Sequence, residues 1–103
     1  GLIMISINIR KNGSYYEKVS ILGHAMYDDY GKDIVCSAVS SIVTTTVNGI
    51  LLIDRESLTY MVSKKGMTIK VKKTDRVTQL LIRNMISLLK ELESNYQDNI
   101  KIK

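Results

Sequence analysis

The chain has 103 residues, 45% of them hydrophobic and 24% charged, with a formal net charge of +5. That length builds one core and leaves no room for a second, and the composition excludes a disordered chain and, with one cysteine, a disulfide-stapled one. The basic balance favours an acidic or nucleic-acid-rich neighbourhood, a weak constraint on partners.

Ile3, Ile5, Ile7 and Ile9 alternate with Met4, Ser6, Asn8 and Arg10, the period of a strand with one buried face. Lys11-Asn12-Gly13-Ser14 supplies hairpin chemistry, and Tyr15 to Leu22 forms the returning strand with Val19 and Ile21 inward. A loop bounded by Gly23 and Gly31 follows. Ile34 to Ile53 is rich in β-branched residues, yet its length and the capping residue Asp33 predict a helix. The run is uncharged and has roughly the length of a membrane span, but Ser37, Ser40, Ser41, Thr44, Thr45, Thr46 and Asn48 make it read as a buried helix of a soluble domain.

Glu56 to Ser63 and Met67 to Lys73 flank Lys64-Lys65-Gly66 as a second hairpin, with Met67, Ile69 and Val71 inward. From Arg76 to Ser94 the residues Val77, Leu80, Leu81, Met85, Leu88, Leu89 and Leu92 recur at helical spacing. Asn95 to Asn99 breaks that helix, and Ile100 and Ile102 suggest a closing strand. The expectation is a single α+β domain over residues 1–103, a mostly antiparallel sheet with two main helices in the order β-β-α-β-β-α-β, layered in two or three. A single cysteine and the lack of a basic-then-apolar leader point to a reducing cytoplasm rather than to secretion or a membrane.

The only histidine, His24, and the only cysteine, Cys36, lie twelve positions apart across the glycine-bounded loop. With Asp33 as cap, Cys36 occupies the third position of the helix. There the backbone N–H groups lack partners and the macrodipole stabilises a thiolate. A Cys–His pair so placed suffices for acyl transfer: the imidazole takes the thiol proton, sulfur attacks a carbonyl, and the first-turn amides hold the oxyanion. Each residue also has a plainer reading. Lone cysteines are commonly inert core residues, a loop histidine commonly bonds a carbonyl, Asp33 can be only a cap, and Ser40, one turn after Cys36, can simply bond the backbone. One histidine and one cysteine give too few soft ligands for zinc, so neither a metal nor a cofactor is expected.

Gly23-His24-Ala25, followed eight positions after Ala25 by Asp33-Ile34-Val35-Cys36 and completed by Ala38-Val39-Ser40, closely resembles the motif of the ribosomal-processing cysteine proteases (Prp) of bacteria. The likeness extends to chain length and element order, and its specific part lies in residues 23 to 40. In that family the residues matching His24 and Cys36 are the catalytic pair, and the motif's glycine, aspartate and serine match Gly23, Asp33 and Ser40. The resemblance implies a homodimeric endopeptidase that removes an apolar N-terminal extension from the precursor of the twenty-seventh large-subunit ribosomal protein. Residues 23–32 then fit a substrate lid, with Gly31 as a hinge and Tyr27 and Tyr30 as contacts. Direct nucleic-acid binding is not required.

The competing reading is a non-catalytic ribosome- or RNA-associated module. Lys64, Lys65, Lys70, Lys72, Lys73 and Arg76, relieved only by Asp75, form a basic run suited to phosphates or, more plainly, to a solvated edge. With neither tryptophan nor phenylalanine, base stacking would fall to tyrosine.

Overall fold

Alternating burial turns the isoleucine-rich N-terminal stretch into a strand. In β1 (Ile5–Asn12), Ile5 and Ile7 are fully covered on one face while Asn8 and Arg10 stay in water on the other. The computed structural model describes residues 4–23 and 34–103. β1 turns at Gly13, whose φ of 61° is left-handed, into the antiparallel β2 (Tyr15–Leu22). A bulge between Arg10 and Lys11 breaks their ladder and unpairs backbone groups near Tyr16. Gln79, 63 positions away in sequence, takes them up: its side-chain oxygen accepts from the Tyr16 N–H at 2.8 Å and its amide donates to the Tyr16 carbonyl at 3.1 Å.

α1 (Ile34–Ile53) starts and stops where the sequence places it. Its β-branched residues Val35, Val39, Val43, Val47 and Ile50 are held by burial in the core, and the Thr44 and Thr46 hydroxyls donate back to the carbonyls of Ser40 and Ile42, at 2.5 and 2.8 Å. The helix is long and apolar enough to cross a membrane, but it is not buried all round. Val35, Cys36, Val39, Val43, Val47 and Ile50 form a buried stripe, while Ser41, Thr44, Thr45, Asn48 and Leu52 face out.

The second hairpin pairs β3 (Leu58–Ser63) with β4 (Gly66–Val71). β3 begins two residues later than the sequence suggests, because the Glu56 N–H donates to Asp54 Oδ1 at 2.9 Å and holds Glu56 in a turn. Gly66 is obligatory here: its φ is 151°, and a Cβ would lie 1.8 Å from the Ile21 carbonyl oxygen, so close do β4 and β2 run.

α2 (Arg76–Asn95) is capped by Asp75, whose carboxylate accepts from the Thr78 N–H at 3.1 Å. That bond holds the Asp75 carboxyl below its ordinary range. Its buried face differs from the one the leucines suggest. Thr78, Ile82, Met85, Ile86 and Leu89 are inside, whereas Val77, Leu80 and Leu88 are 48%, 44% and 41% exposed. Thr78 is admitted to the core because its hydroxyl bonds the buried Ser57 hydroxyl at 3.2 Å, and Ile82, Met85, Ile86 and Leu89 continue the stripe at helical spacing. β5 (Ile100–Ile102) then lies parallel to β1, its Ile102 N–H held by the Glu93 carboxylate at 2.7 Å.

The sheet order is β3-β4-β2-β1-β5, antiparallel except for the β1–β5 pair. The inward residues Ile5, Ile7, Val19, Ile21, Leu58, Met67, Ile69 and Ile100 share one face and join the buried stripes of both helices in a single core. The fold is therefore a two-layer α+β sandwich, and among the described residues no helix covers the other sheet face.

Candidate active site

Three chain segments meet at one end of the sheet. β2 ends at Leu22, paired with Gly66, and the Gly23 N–H donates to the Lys65 carbonyl at 3.1 Å, tying the point of exit to the β3–β4 turn. Gly23 has a φ of 81°, and a Cβ on it would stand 2.5 Å from the Met4 carbonyl oxygen. Only glycine satisfies both the left-handed backbone and this close approach. The chain thus leaves the sheet in a fixed direction just before His24 and is next described at Ile34, where α1 opens.

Cys36 is the third residue of α1, as the spacing predicts, and it is 2% exposed. It belongs to the core cluster with Val35, Val39 and Val43, so its backbone is fixed by the same packing that fixes the helix. Ser40 follows one turn later, half-buried, its carbonyl occupied by the Thr44 hydroxyl. A sulfur held at a helix N-terminus has two advantages for acyl transfer. The dipole favours its anion, and the first-turn N–H groups face any oxyanion formed beside it. His24, Tyr27, Tyr30, Gly31 and Asp33 lie outside the described residues. The Cys–His contact, the Asp33 cap and the lid therefore carry no geometry.

The basic run divides. Lys64 and Lys65 sit at the turn near Gly23, while Lys72 and Lys73 lie beyond the far end of β4, about 20 Å away along a strand of this length. Lys73 pairs with Asp54, raising the lysine pKa and lowering that of the carboxyl, and Lys72 reaches Glu56 at 3.5 Å. Lys70 lies on β4 between these two ends, opposite Lys18 of β2. Among the described residues, no cluster of histidine, cysteine, aspartate or glutamate is suited to a metal ion.

The family model described as "Cysteine protease Prp" matches residues 4–101. The chain belongs to the Prp family of cysteine proteases. Its similarity to individual Prp proteins covers between 78% and 98% of the chain. The ribosomal processing cysteine protease Prp of Staphylococcus aureus is 27% identical over 104 residues, covering 98% of this chain and 97% of the relative. The Prp of Bacillus subtilis is 26% identical over 87 residues, 78% of either chain. The crystal structure of S. aureus Prp with a substrate peptide superposes with a TM-score of 0.85 at 28% identity, covering 97% of this chain and 98% of that one. The structure of the same protein with a covalently linked product peptide gives 0.86 at 27%. The enzyme class follows from the family: this is a cysteine peptidase of the ribosomal-processing type.

Two features, one at the site end and one in the middle of β3, have no signature in the sequence. Gly23 reads there as a loop boundary, with nothing to reveal the backbone of Met4 against it. Tyr60 on β3 donates to Met67 Sδ at 2.9 Å and lies beside the Thr44 hydroxyl of α1. Partial burial outweighs that hydroxyl and raises the phenol's pKa.

Proposed function

We propose that the chain is an endopeptidase that removes the N-terminal extension from the precursor of the twenty-seventh large-subunit ribosomal protein, acting in the cytoplasm as a homodimer. Cys36 is the nucleophile and His24 the general base and acid. One observation carries this reading: a chain of a cysteine protease family holds a single cysteine, and that cysteine stands in the first turn of a helix. The covalently linked product peptide of the S. aureus relative supports a nucleophilic route, and its substrate peptide supports a peptide substrate.

The chemistry runs in two halves. His24 accepts the Cys36 thiol proton, and the sulfur adds to the scissile carbonyl while the first-turn N–H groups hold the oxyanion. The imidazolium returns the proton to the departing amine, leaving a thioester. Water, deprotonated by the same imidazole, then cleaves the thioester to release the carboxylate and the thiol. Gly23 aims the segment that carries His24, Asp33 caps α1 or orients the imidazole, and Ser40 lines the wall one turn below the sulfur.

Iodoacetamide alkylation of Cys36, followed by intact mass across pH, tests the pair without a substrate. In the wild type, alkylation turns on at lower pH than for an ordinary cysteine, and in His24→Ala the profile moves up. Peptide cleavage by His24→Ala falls roughly a hundredfold or more. Profiles that coincide, together with an unchanged cleavage rate, would remove His24 from the mechanism.

A further inference from the structure

The outer edge of β3 differs from the other edge of the sheet. β5 is three residues long, with Lys101 exposed in its middle and Lys103 just after it, the usual protection against a stray strand. β3 has six residues and no charge within Leu58–Ser63, and it exposes Met61 and Val62 by 63% and 45%. Lys64 and Lys65 guard only the turn.

The register shows which backbone groups point outward. The two-residue turn closes on the Ser63–Gly66 pair, and antiparallel pairs alternate between bonded and open. At the other end the Lys72 N–H donates to the Ser57 carbonyl at 2.8 Å, so Ser57, Thr59, Met61 and Ser63 spend their main-chain groups on β4. Tyr60 and Val62 therefore turn their N–H and C=O groups to the outer edge, which has no strand partner among the described residues. Their side chains point to the helical layer. There Tyr60 meets Thr44, which places the uncharged outer row of α1, Ser41, Thr44 and Asn48, along the same edge. Thr44 lies eight residues after Cys36, about 12 Å along the helix, which is three or four residues of an extended peptide.

We propose that the free edge of β3 is a docking strand for the substrate: an extended, uncharged peptide segment adds to it through the main chain of Tyr60 and Val62, lies against the hydroxyl row of α1, and so reaches Cys36. The inference rests on the proposed peptidase activity and names where its substrate is held. A peptide is the occupant because this edge runs beside the nucleophile's helix and a protein of this fold has been crystallised with a substrate peptide. The segment is uncharged because neither α1 nor β3 carries a charge, in a chain whose net charge is +5. Main-chain pairing supplies affinity, and alternate side chains supply selectivity.

The test is steady-state cleavage of a fluorogenic peptide spanning the precursor's N-terminal extension. Val62→Pro removes an outward N–H without touching the β3–β4 ladder, and proline is tolerated at such an edge position. KM should rise about tenfold, the worth of a strong main-chain hydrogen bond, with the melting temperature held; Val62→Thr, which keeps the N–H, restores the wild-type KM. Independently of the protein's folding, substrate analogues N-methylated one residue at a time should lose binding with a period of two along the paired segment. An unchanged KM in Val62→Pro, or analogues that show no such period, overturns the inference while the peptidase reading stands. A loss of self-association in Val62→Pro with KM unchanged assigns the edge to a second copy and also overturns it. Failure of the wild type to cleave the peptide overturns the peptidase reading itself, and this inference with it.

Discussion

Replacing Gly23 by alanine perturbs the point at which the chain leaves the sheet towards His24. Two costs follow from the structure. A φ of 81° places alanine in the left-handed region, at roughly 1–2 kcal/mol. The new Cβ stands 2.5 Å from the Met4 carbonyl oxygen, a backbone atom that no rotamer can move, so the ends of β1 and β2 must separate. That separation strains the 3.1 Å bond from the Gly23 N–H to the Lys65 carbonyl, worth about 1 kcal/mol. Together these give a loss of roughly 2–3 kcal/mol, large against a typical total but survivable. Thermal unfolding by circular dichroism should show a melting temperature lower by roughly 10–20 °C. Gly13→Ala is the control, because Gly13 has a φ of 61° and a Cβ added there would meet nothing within 4 Å, so it bears only the first cost. The two variants melting together would refute the close-approach argument. A further consequence is a slower cleavage rate in Gly23→Ala at temperatures where it remains folded, since the segment leading to His24 is re-aimed.

The buried face of α2 is tested by Ile82→Ala against Leu80→Ala. The first should cost roughly 2–5 kcal/mol in chemical denaturation, as expected for a fully buried isoleucine, and the second well under half as much; the reverse order would place the leucines inside. Acid stability should reflect the α2 cap. The Asp75 carboxyl is held below its ordinary value in the folded chain, so its contribution is present above about pH 4 and fades as the pH falls through the lower folded value. Asp75→Asn, which keeps the capping oxygen without the charge, should flatten that part of the acid denaturation curve. An unchanged acid limb would mean that other carboxylates dominate it.

What is legible in the sequence is what depends on local pattern. The alternation in Ile5 to Ile9, the turn at Gly13, the bounds of α1 and the Lys64-Lys65 hairpin are all short-range signals, and each appears where the residues put it. The face of α2 departs from its leucine pattern for a physical reason. Leucines occur on both sides of that helix, and the side that enters the core is the one on which Ile82, Met85, Ile86 and Leu89 recur at helical spacing, with Thr78 one turn ahead of them bonded to Ser57. Nothing within Arg76–Asn95 announces a partner 21 positions earlier. Gln79 on the β2 bulge and Glu93 on β5 are likewise long-range anchors without a local signature. At the site, the helix position of Cys36 can be read from the apolar run that begins at Ile34. The constraint on Gly23 cannot, because it comes from the backbone of Met4.

The functional reading depends above all on Cys36 cleaving a peptide bond in a ribosomal protein precursor. The direct measurement is to incubate the purified precursor with the wild-type protein and with Cys36→Ser and to follow intact mass. The wild type should yield one shortened product lacking the N-terminal extension, and Cys36→Ser, confirmed folded by circular dichroism, should yield none. Cleavage at the same bond by folded Cys36→Ser, or an intact precursor after incubation with the wild type, would contradict that reading.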